Sequence, residues 1–288
     1  MHSIATFSIV ACDLNARAWG VAVASKFPAV GAVVPWARAK IGAVATQALA
    51  NTSFGPRGLE LMANDLPAEA ALAQLLAGDP GRDERQVGLV DRNGQAATFT
   101  GGKCLEWAGG ISRPGYAIQG NVLAGPEVVR EMETAFLHAE GDLPGRLLTA
   151  LEAGNNAGGD RRGRQSAALY VVKPRAGYGG NNDRWIDYRV DDHLNPVPRL
   201  QEILELHHLY FGSSPKSQRV RLAGPVVKQI QNIMKGLGYY SPADGNYSEV
   251  TREAFRAFIH NENFEERADP DAGWIDKPVL DYLLKKLS

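Results

Sequence analysis

The chain has 288 residues, 44% of them hydrophobic and 22% charged, which is the make-up of a globular protein with one large core or two unequal ones. Lys plus Arg number 31 against 32 Asp plus Glu, and the net charge of −1 offers no global attraction to nucleic acid or acidic lipid. Cys12 and Cys104 make no disulfide framework, and no apolar run approaches the roughly 18 residues of a membrane span.

The first hairpin is predicted at once, with "ATFSIVACD" and "WGVAVASK" flanking a polar turn at Asp13 to Ala18. The stretch "IVAC" before Cys12 has the local look of a lipidation site, but no Lys or Arg precedes it and cleavage there would remove a strand, so a cytoplasmic protein is expected. "GAVVPWA" and "IGAVATQA" read as a second hairpin around "RAK". These runs are almost continuously apolar, so both faces of their sheets should be covered. "PAEAALAQLLAG" reads as a helix that starts at Pro67 and stops at Gly78. "RQVGLVDRNGQAATFTG" is a third hairpin, with Asn93-Gly94 supplying the positive φ of a two-residue connection.

Two helices follow in "PEVVREMETAFLHAEG" and "LPGRLLTALEAG", each closing on Gly. "SAALYVVKP" and "RWIDYRVDD" return to strand, and "NPVPRLQEILELHHLYFG" opens on Asn195-Pro196 as an amphipathic helix. About ten strands and five helices, grouped rather than alternating, favour stacked antiparallel sheets with outer helices. Composition then shifts at "GSSPKSQRVRLAG", a linker by its Ser, Pro, Gly and basic residues. Three short helices follow, in "PVVKQIQNIMKGLGYY", "SEVTREAFRAFIH" and "DKPVLDYLLKKL", whose connections "SPADGNY" and "DPDAGWI" suggest a two-fold quasi-repeat. The expected organisation is a domain over 1–212, a linker over 213–224 and a small helical domain over 225–288.

The blocks "TFSIVACD", "GVAVASKFPAVGAVVPWARAKIGAVATQALAN", "SFGPRGLELM", "RQVGLVD", "QGNVLAGPEVV" and "ALEAGNNAGGDRRGRQSAAL" together resemble the domain-of-unknown-function 1028 family of the Ntn-hydrolase superfamily, over roughly residues 5–212. The resemblance implies an α+β fold, a four-layer αββα sandwich, followed here by a small three-helix domain. The superfamily's usual activity is amide hydrolysis by an N-terminal Thr, Ser or Cys. The C-terminal part resembles a peptidoglycan-binding module through "LGYY", Asp244-Gly245, Thr251, Ala254, Phe255, Phe258 and "DAGW".

Thr6 is the candidate nucleophile. A threonine hydroxyl needs a base, and an N-terminal threonine carries one in its own α-amine, whose ordinary pKa is about 7.7–8.0. Five residues precede Thr6, so the Ala5–Thr6 bond would have to be cut. The bland alternative is a β-branched residue at the head of a strand. Ser8 shares a strand face with Thr6. Asp160 and Ser166, in "GGDRRGRQSAAL", are expected to complete the catalytic set, with a solvated surface loop as the alternative. Asn51 and Asn121 are oxyanion candidates, against turn or cap roles. Arg161 and Arg164 could grip a substrate carboxylate, and the resemblance implies that Lys26 could tune the amine, against the role of a solvated Lys at a strand end. In the small domain Tyr240 and Trp274 are glycan-stacking candidates that could equally pack its core. No metal or cofactor is called for by these residues.

Two functions compete. One is an amidohydrolase acting on a small polar amide, with Thr6 as nucleophile after loss of residues 1–5. The other is a non-catalytic protein that binds a ligand such as a muropeptide-like cell-wall fragment. Neither involves nucleic acid, and sheet edges make a homodimer plausible.

Overall fold

The computed structural model describes residues 6–239 and 242–287. The chain divides into two compact units, Met1–Leu204 and Glu205–Ser288. Among the described residues no helix is long and apolar enough to cross a membrane.

The large unit contains a six-stranded and a four-stranded antiparallel sheet. The first has β10 (Arg184–Val190), β9 (Ser166–Val172), β2 (Ala18–Ser25), β1 (Thr6–Asp13), β8 (Tyr116–Asn121) and β7 (Gly109–Arg113) in that spatial order. The second has β3 (Pro35–Arg38), β4 (Gly42–Ala48), β5 (Arg85–Asp91) and β6 (Ala96–Thr100). Helices α1 (Phe54–Ala63) and α2 (Ala68–Ala77) cover the outer face of the smaller sheet, with Phe54, Leu72 and Leu75 packed on Val44, Val87 and Leu89. Helices α3 (Glu127–His138) and α4 (Leu143–Asn156), with the first turns of α5 (Pro196–Phe211), cover the larger sheet through Met132, Leu147, Leu151 and Leu200. The expected four-layer αββα sandwich is therefore the observed one.

Strand alternation explains how β1 serves two cores. Phe7, Ile9 and Ala11 face the helices, while Val10 and Cys12 face the other sheet. Burial on both faces is why the strands read as continuous apolar runs.

Several local expectations are corrected. "GAVVPWA" is not one strand: Val30–Ala32 forms a 3-10 turn and β3 begins only at Pro35. Gly31 comes so close to β9 that a Cβ there would stand 2.5 Å from the Cβ of Ala168. The Asn93-Gly94 loop is one residue wider than expected, closing at Asp91 and Gln95 with Gly94 at φ 78°. Helix α1 was hidden by Gly55, Pro56 and Gly58, yet its proline lies in the first turn, where the missing N–H costs no helical bond. By contrast α2 is flanked by Pro67 and Gly78 as its sequence predicts.

The small unit has the three expected helices, α6 (Pro225–Gly236), α7 (Glu249–Asn261) and α8 (Lys277–Leu287). Phe255, Phe258, Ile230, Met234 and Leu283 form its core. It also has a three-stranded sheet that periodicity did not reveal, β11 (Arg219–Arg221), β13 (Trp274–Asp276) and β12 (Ala268–Asp269) in spatial order. Residues 213–224, read as a linker, thus contribute a strand and a buried Leu222. "DPDAGWI" lies in the β12–β13 hairpin, whereas the described part of "SPADGNY", residues 242–247, lies in no strand, so the two connections differ in structure.

Candidate functional site

At one end of the six-stranded sheet the register places Ser166, Ser25, Thr6 and Asn121 in one row across β9, β2, β1 and β8. Directly opposed residues of antiparallel strands project to the same face. That face is turned toward the four-stranded sheet, because Ser8, two residues along β1, donates to Oε1 of Gln47 on β4 at 2.6 Å. All four side chains of the row are buried, Thr6 and Asn121 with 0% exposure. Thr6 Oγ1 donates to Ser25 Oγ at 3.2 Å. Ser166 Oγ donates to the Phe27 carbonyl and accepts the Val30 N–H at 3.1 Å.

The next row toward the middle carries an amide network. Gln119 Nε2 donates to Ser8 Oγ at 2.7 Å. Gln47 Nε2 donates to the Thr6 carbonyl at 3.2 Å and to Gln86 Oε1 at 2.9 Å. Gln86 Nε2 donates to Thr100 Oγ1 at 2.9 Å and to the carbonyls of Gly109 and Gly120 at 3.2 and 2.7 Å. Asn121 Nδ2 donates to Gln86 Oε1 at 2.9 Å, and among the described residues nothing donates to the buried Asn121 Oδ1. Gly88 makes room for this layer, since a Cβ there would lie 2.1 Å from Gln119 Oε1. Two strands end in left-handed non-glycine residues immediately after site residues: Ala48 at φ 67° follows Gln47, and Val122 at φ 53° follows Asn121. Such conformations are costly for residues with a Cβ and concentrate where function demands a fixed geometry.

Asp160 closes the end of the sheet from the loop before β9. Its carboxylate accepts the N–H of Lys26 at 2.7 Å and that of Arg162 at 3.0 Å, and it binds the Arg162 guanidinium at 3.0–3.1 Å. The same residue bridges to Leu123, two residues beyond Asn121. Asp160 therefore ties the end of β2 through its carboxylate, and the segment after β8 through its backbone, to the loop before β9. A hollow of about 10 Å³, room for one water, lies beside Ser25, Phe7, Gly159 and Asp160.

The chemistry available here is that of a hydroxyl held by a second hydroxyl in a buried layer of neutral side chains. The thiols offer no rival nucleophile. Burial, with the charge of Asp91, pushes Cys12 up to about 12, and burial also raises Cys104. Both stay protonated at neutral pH.

Residues 6–200 match a family described as "Family of unknown function (DUF1028)". The chain belongs to this family. A crystal structure of a protein from Silicibacter pomeroyi, described as a member of the same family, is similar with a TM-score of 0.64 and 30% identity, over 71% of this chain and 89% of that one. None of the curated proteins is significantly similar. Residues 210–283 match a second family, described as "Putative peptidoglycan binding domain".

Within the domain shared with this family, the structure brings together Thr6, Ser8, Ser166 and Asn121, with Asp160 at their edge. Asn51 is placed differently: its Nδ2 donates to Asp79 at 3.1 Å and its Oδ1 accepts from Ser53 at 2.7 Å, so the carboxamide anchors the loop before α1. Asn121 has its donor spent on Gln86 and presents an acceptor, the polarity opposite to an oxyanion donor. Lys26, Arg161 and Arg164 are exposed. Lys26 Nζ donates to the Arg164 carbonyl at 3.4 Å, and Arg164 Nη1 to Asn195 at 3.4 Å. Ser25, Gln47, Gln86 and Gln119 also join this layer, although no local motif marks them. The available signal was a glutamine near one end of each of three apolar strands, "GAVATQA", "RQVGLVD" and "YAIQGN".

In the small unit Tyr240 lies outside the described residues. Trp274 has the Arg219 guanidinium 3.8 Å over its ring, so that face is occupied. Tyr239 packs edge-on against Phe258, and Tyr247 donates to the Pro270 carbonyl at 2.7 Å, with burial pushing its hydroxyl up to about 12. An open cleft of about 450 Å³ is lined by Arg219, Arg256, His260, Glu266, Asp269 and Trp274.

Proposed function

We propose that the large domain is an amidohydrolase that acts on a small polar amide, with Thr6 as nucleophile once the Ala5–Thr6 bond has been broken. The observation that carries this reading is the position of Thr6: it opens the first strand, with Oγ1 bonded to Ser25 in a buried polar row between two sheets. Self-cleavage has a balanced route. Thr6 Oγ adds to the Ala5 carbonyl, the C–N bond breaks as nitrogen takes the hydroxyl proton, and water hydrolyses the resulting ester.

In the processed chain the α-amine takes the Thr6 hydroxyl proton as oxygen attacks the substrate carbonyl. It then returns the proton to the departing amine, and water releases the acyl group. Ser25 and Ser8 position the hydroxyl and its strand. Asp160 holds the strand ends. Lys26, Arg161 and Arg164 give the rim a positive character suited to a substrate carboxylate.

Intact mass and N-terminal sequencing test the first step, and turnover of Thr6→Ala the second. The expected results are a mature start at Thr6 and complete loss of hydrolysis in a folded variant. Undiminished turnover in that variant would falsify the mechanism.

A second reading, binding of a cell-wall fragment by the small unit, is favoured by the family match over 210–283 and by the open cleft beside Trp274. Calorimetry of muropeptides with the full chain tests it. Binding that survives Arg219→Ala and Trp274→Ala together would remove this cleft from consideration.

A further inference from the structure

We propose that Asn121 is the positioning residue for the Thr6 α-amine, its unpaired Oδ1 accepting an amine N–H in the chain that begins at Thr6. The inference rests on the reading of Thr6 as a freed N-terminus and assigns the orientation of its base.

The carboxamide is held one way round. Gln86 Nε2 faces three acceptors, Thr100 Oγ1 and the carbonyls of Gly109 and Gly120, so Gln86 Oε1 is the atom turned to Asn121. Gln47 Nε2 converges on that same oxygen. Turning Asn121 over would set oxygen against oxygen. Among the described residues the atom left without a donor is therefore Oδ1, fully buried, where an unmet acceptor is costly.

The register puts this acceptor next to Thr6. Thr6 pairs directly with Ser25 on one side and Asn121 on the other. Cβ atoms of such pairs are about 4.5–5.5 Å apart, a span a carboxamide covers to reach the neighbouring main-chain nitrogen. Ser25 Oγ accepts from the Thr6 hydroxyl on one side, and Asn121 flanks Thr6 on the other. Val122 supplies a second, independent sign that this position is constrained. It is β-branched and buried yet left-handed at φ 53°, with its N–H donating to Leu105 and its carbonyl accepting from Arg161.

A neutral acceptor suits the task. A carboxylate would favour the ammonium and withhold the lone pair that must take the hydroxyl proton. A carboxamide accepts one N–H and leaves that lone pair free to face Oγ1. The polar side chains of the layer, Ser8, Ser25, Gln47, Gln86, Gln119 and Ser166, are likewise neutral. Among the described residues, the charged groups at this end of the sheet include Lys26, which follows Ser25, and Asp160, Arg161, Arg162 and Arg164 in the loop before β9.

The test uses the chain beginning at Thr6, released from an N-terminal fusion partner by a protease and checked by mass. NMR titration of the labelled Thr6 amine reads its pKa directly, with no need for hydrolysis. Asn121→Asp is expected to raise that pKa by about one unit or more, and Asn121→Leu to lower it. A pKa unchanged by Asn121→Asp overturns the assignment. A crystal structure of the wild-type released chain stands in if the variants do not fold. It should show Asn121 Oδ1 about 3 Å from the Thr6 nitrogen, and an amine bonded elsewhere overturns the assignment. The two readings fail separately: a precursor that keeps residues 1–5 and turns nothing over sinks the nucleophile, whereas these measurements judge Asn121 alone.

Discussion

The space between the two sheets has two halves built from the same strands. In one, Val10, Val21, Val23, Val30, Val34, Ala43, Ala45 and Val90 make an apolar core. In the other, Thr6, Ser8, Ser25, Gln47, Gln86, Gln119, Asn121 and Ser166 replace them, all buried. A layer needed only for stability would continue the valines, since burying amides returns about 1 kcal/mol per bond made and costs about 1–3 for each group left unmade. Among the described residues, the polar half keeps the Asn121 acceptor unmade and leaves Ala48 and Val122 left-handed. Stability alone does not account for it.

Exchanging the chemistry of the halves should hurt most where no partner exists. Val21→Asn places an amide among valines and should lower the urea unfolding free energy by about 4 kcal/mol, through lost apolar burial plus an unmet polar group. A much smaller loss, followed by Trp fluorescence, would mean the apolar half admits water. Gln47→Leu should cost about 3 kcal/mol by the same measurement. It takes the acceptor from Ser8 and a donor from both the Thr6 carbonyl and Gln86.

The side chains of the polar layer carry no ionisable group, so acid sensitivity of the fold must come from elsewhere. Hydrogen bonds from Arg85 first, then from Asn51 and the Gly81 N–H, pull the Asp79 carboxyl down to about 2. The folded chain thus binds this proton more weakly than the unfolded chain. The resulting stability is complete above about pH 4 and is lost as pH falls toward 2. At about 1.4 kcal/mol per unit it amounts to roughly 2 kcal/mol, which Asp79→Asn should remove at neutral pH while flattening the acid limb of a stability profile. The smallest effect is expected at Asn121. Asn121→Leu loses the bond to Gln86 but also the unmet oxygen, and should change unfolding by less than about 1 kcal/mol. A loss of several would show that Oδ1 already has a partner in solution.

The halves also differ in how far the sequence exposes them. The apolar half is legible, because alternation and β-branched runs mark the strands and require cover on both faces. The polar half is legible only residue by residue. Ser8, Asp160, Ser166 and Asn121 stand out locally, but their meeting depends on a register between strands more than a hundred residues apart, such as Ser8 with Gln119. Asn51 misleads for a related reason. It sits among small residues after a strand, as Asn121 does, yet Asp79 and Ser53 take its carboxamide.

The order of strands and helices, the stacking of two covered sheets and the threonine that opens the first strand follow from the sequence, because local periodicity and punctuation are properties of neighbouring residues. Which side chains share the row with Thr6, that Ser25 takes its hydroxyl, and that Asn121 presents oxygen rather than nitrogen were settled only by tertiary structure. Cross-strand register and amide orientation are decided by partners far apart in the chain, and no local pattern encodes them.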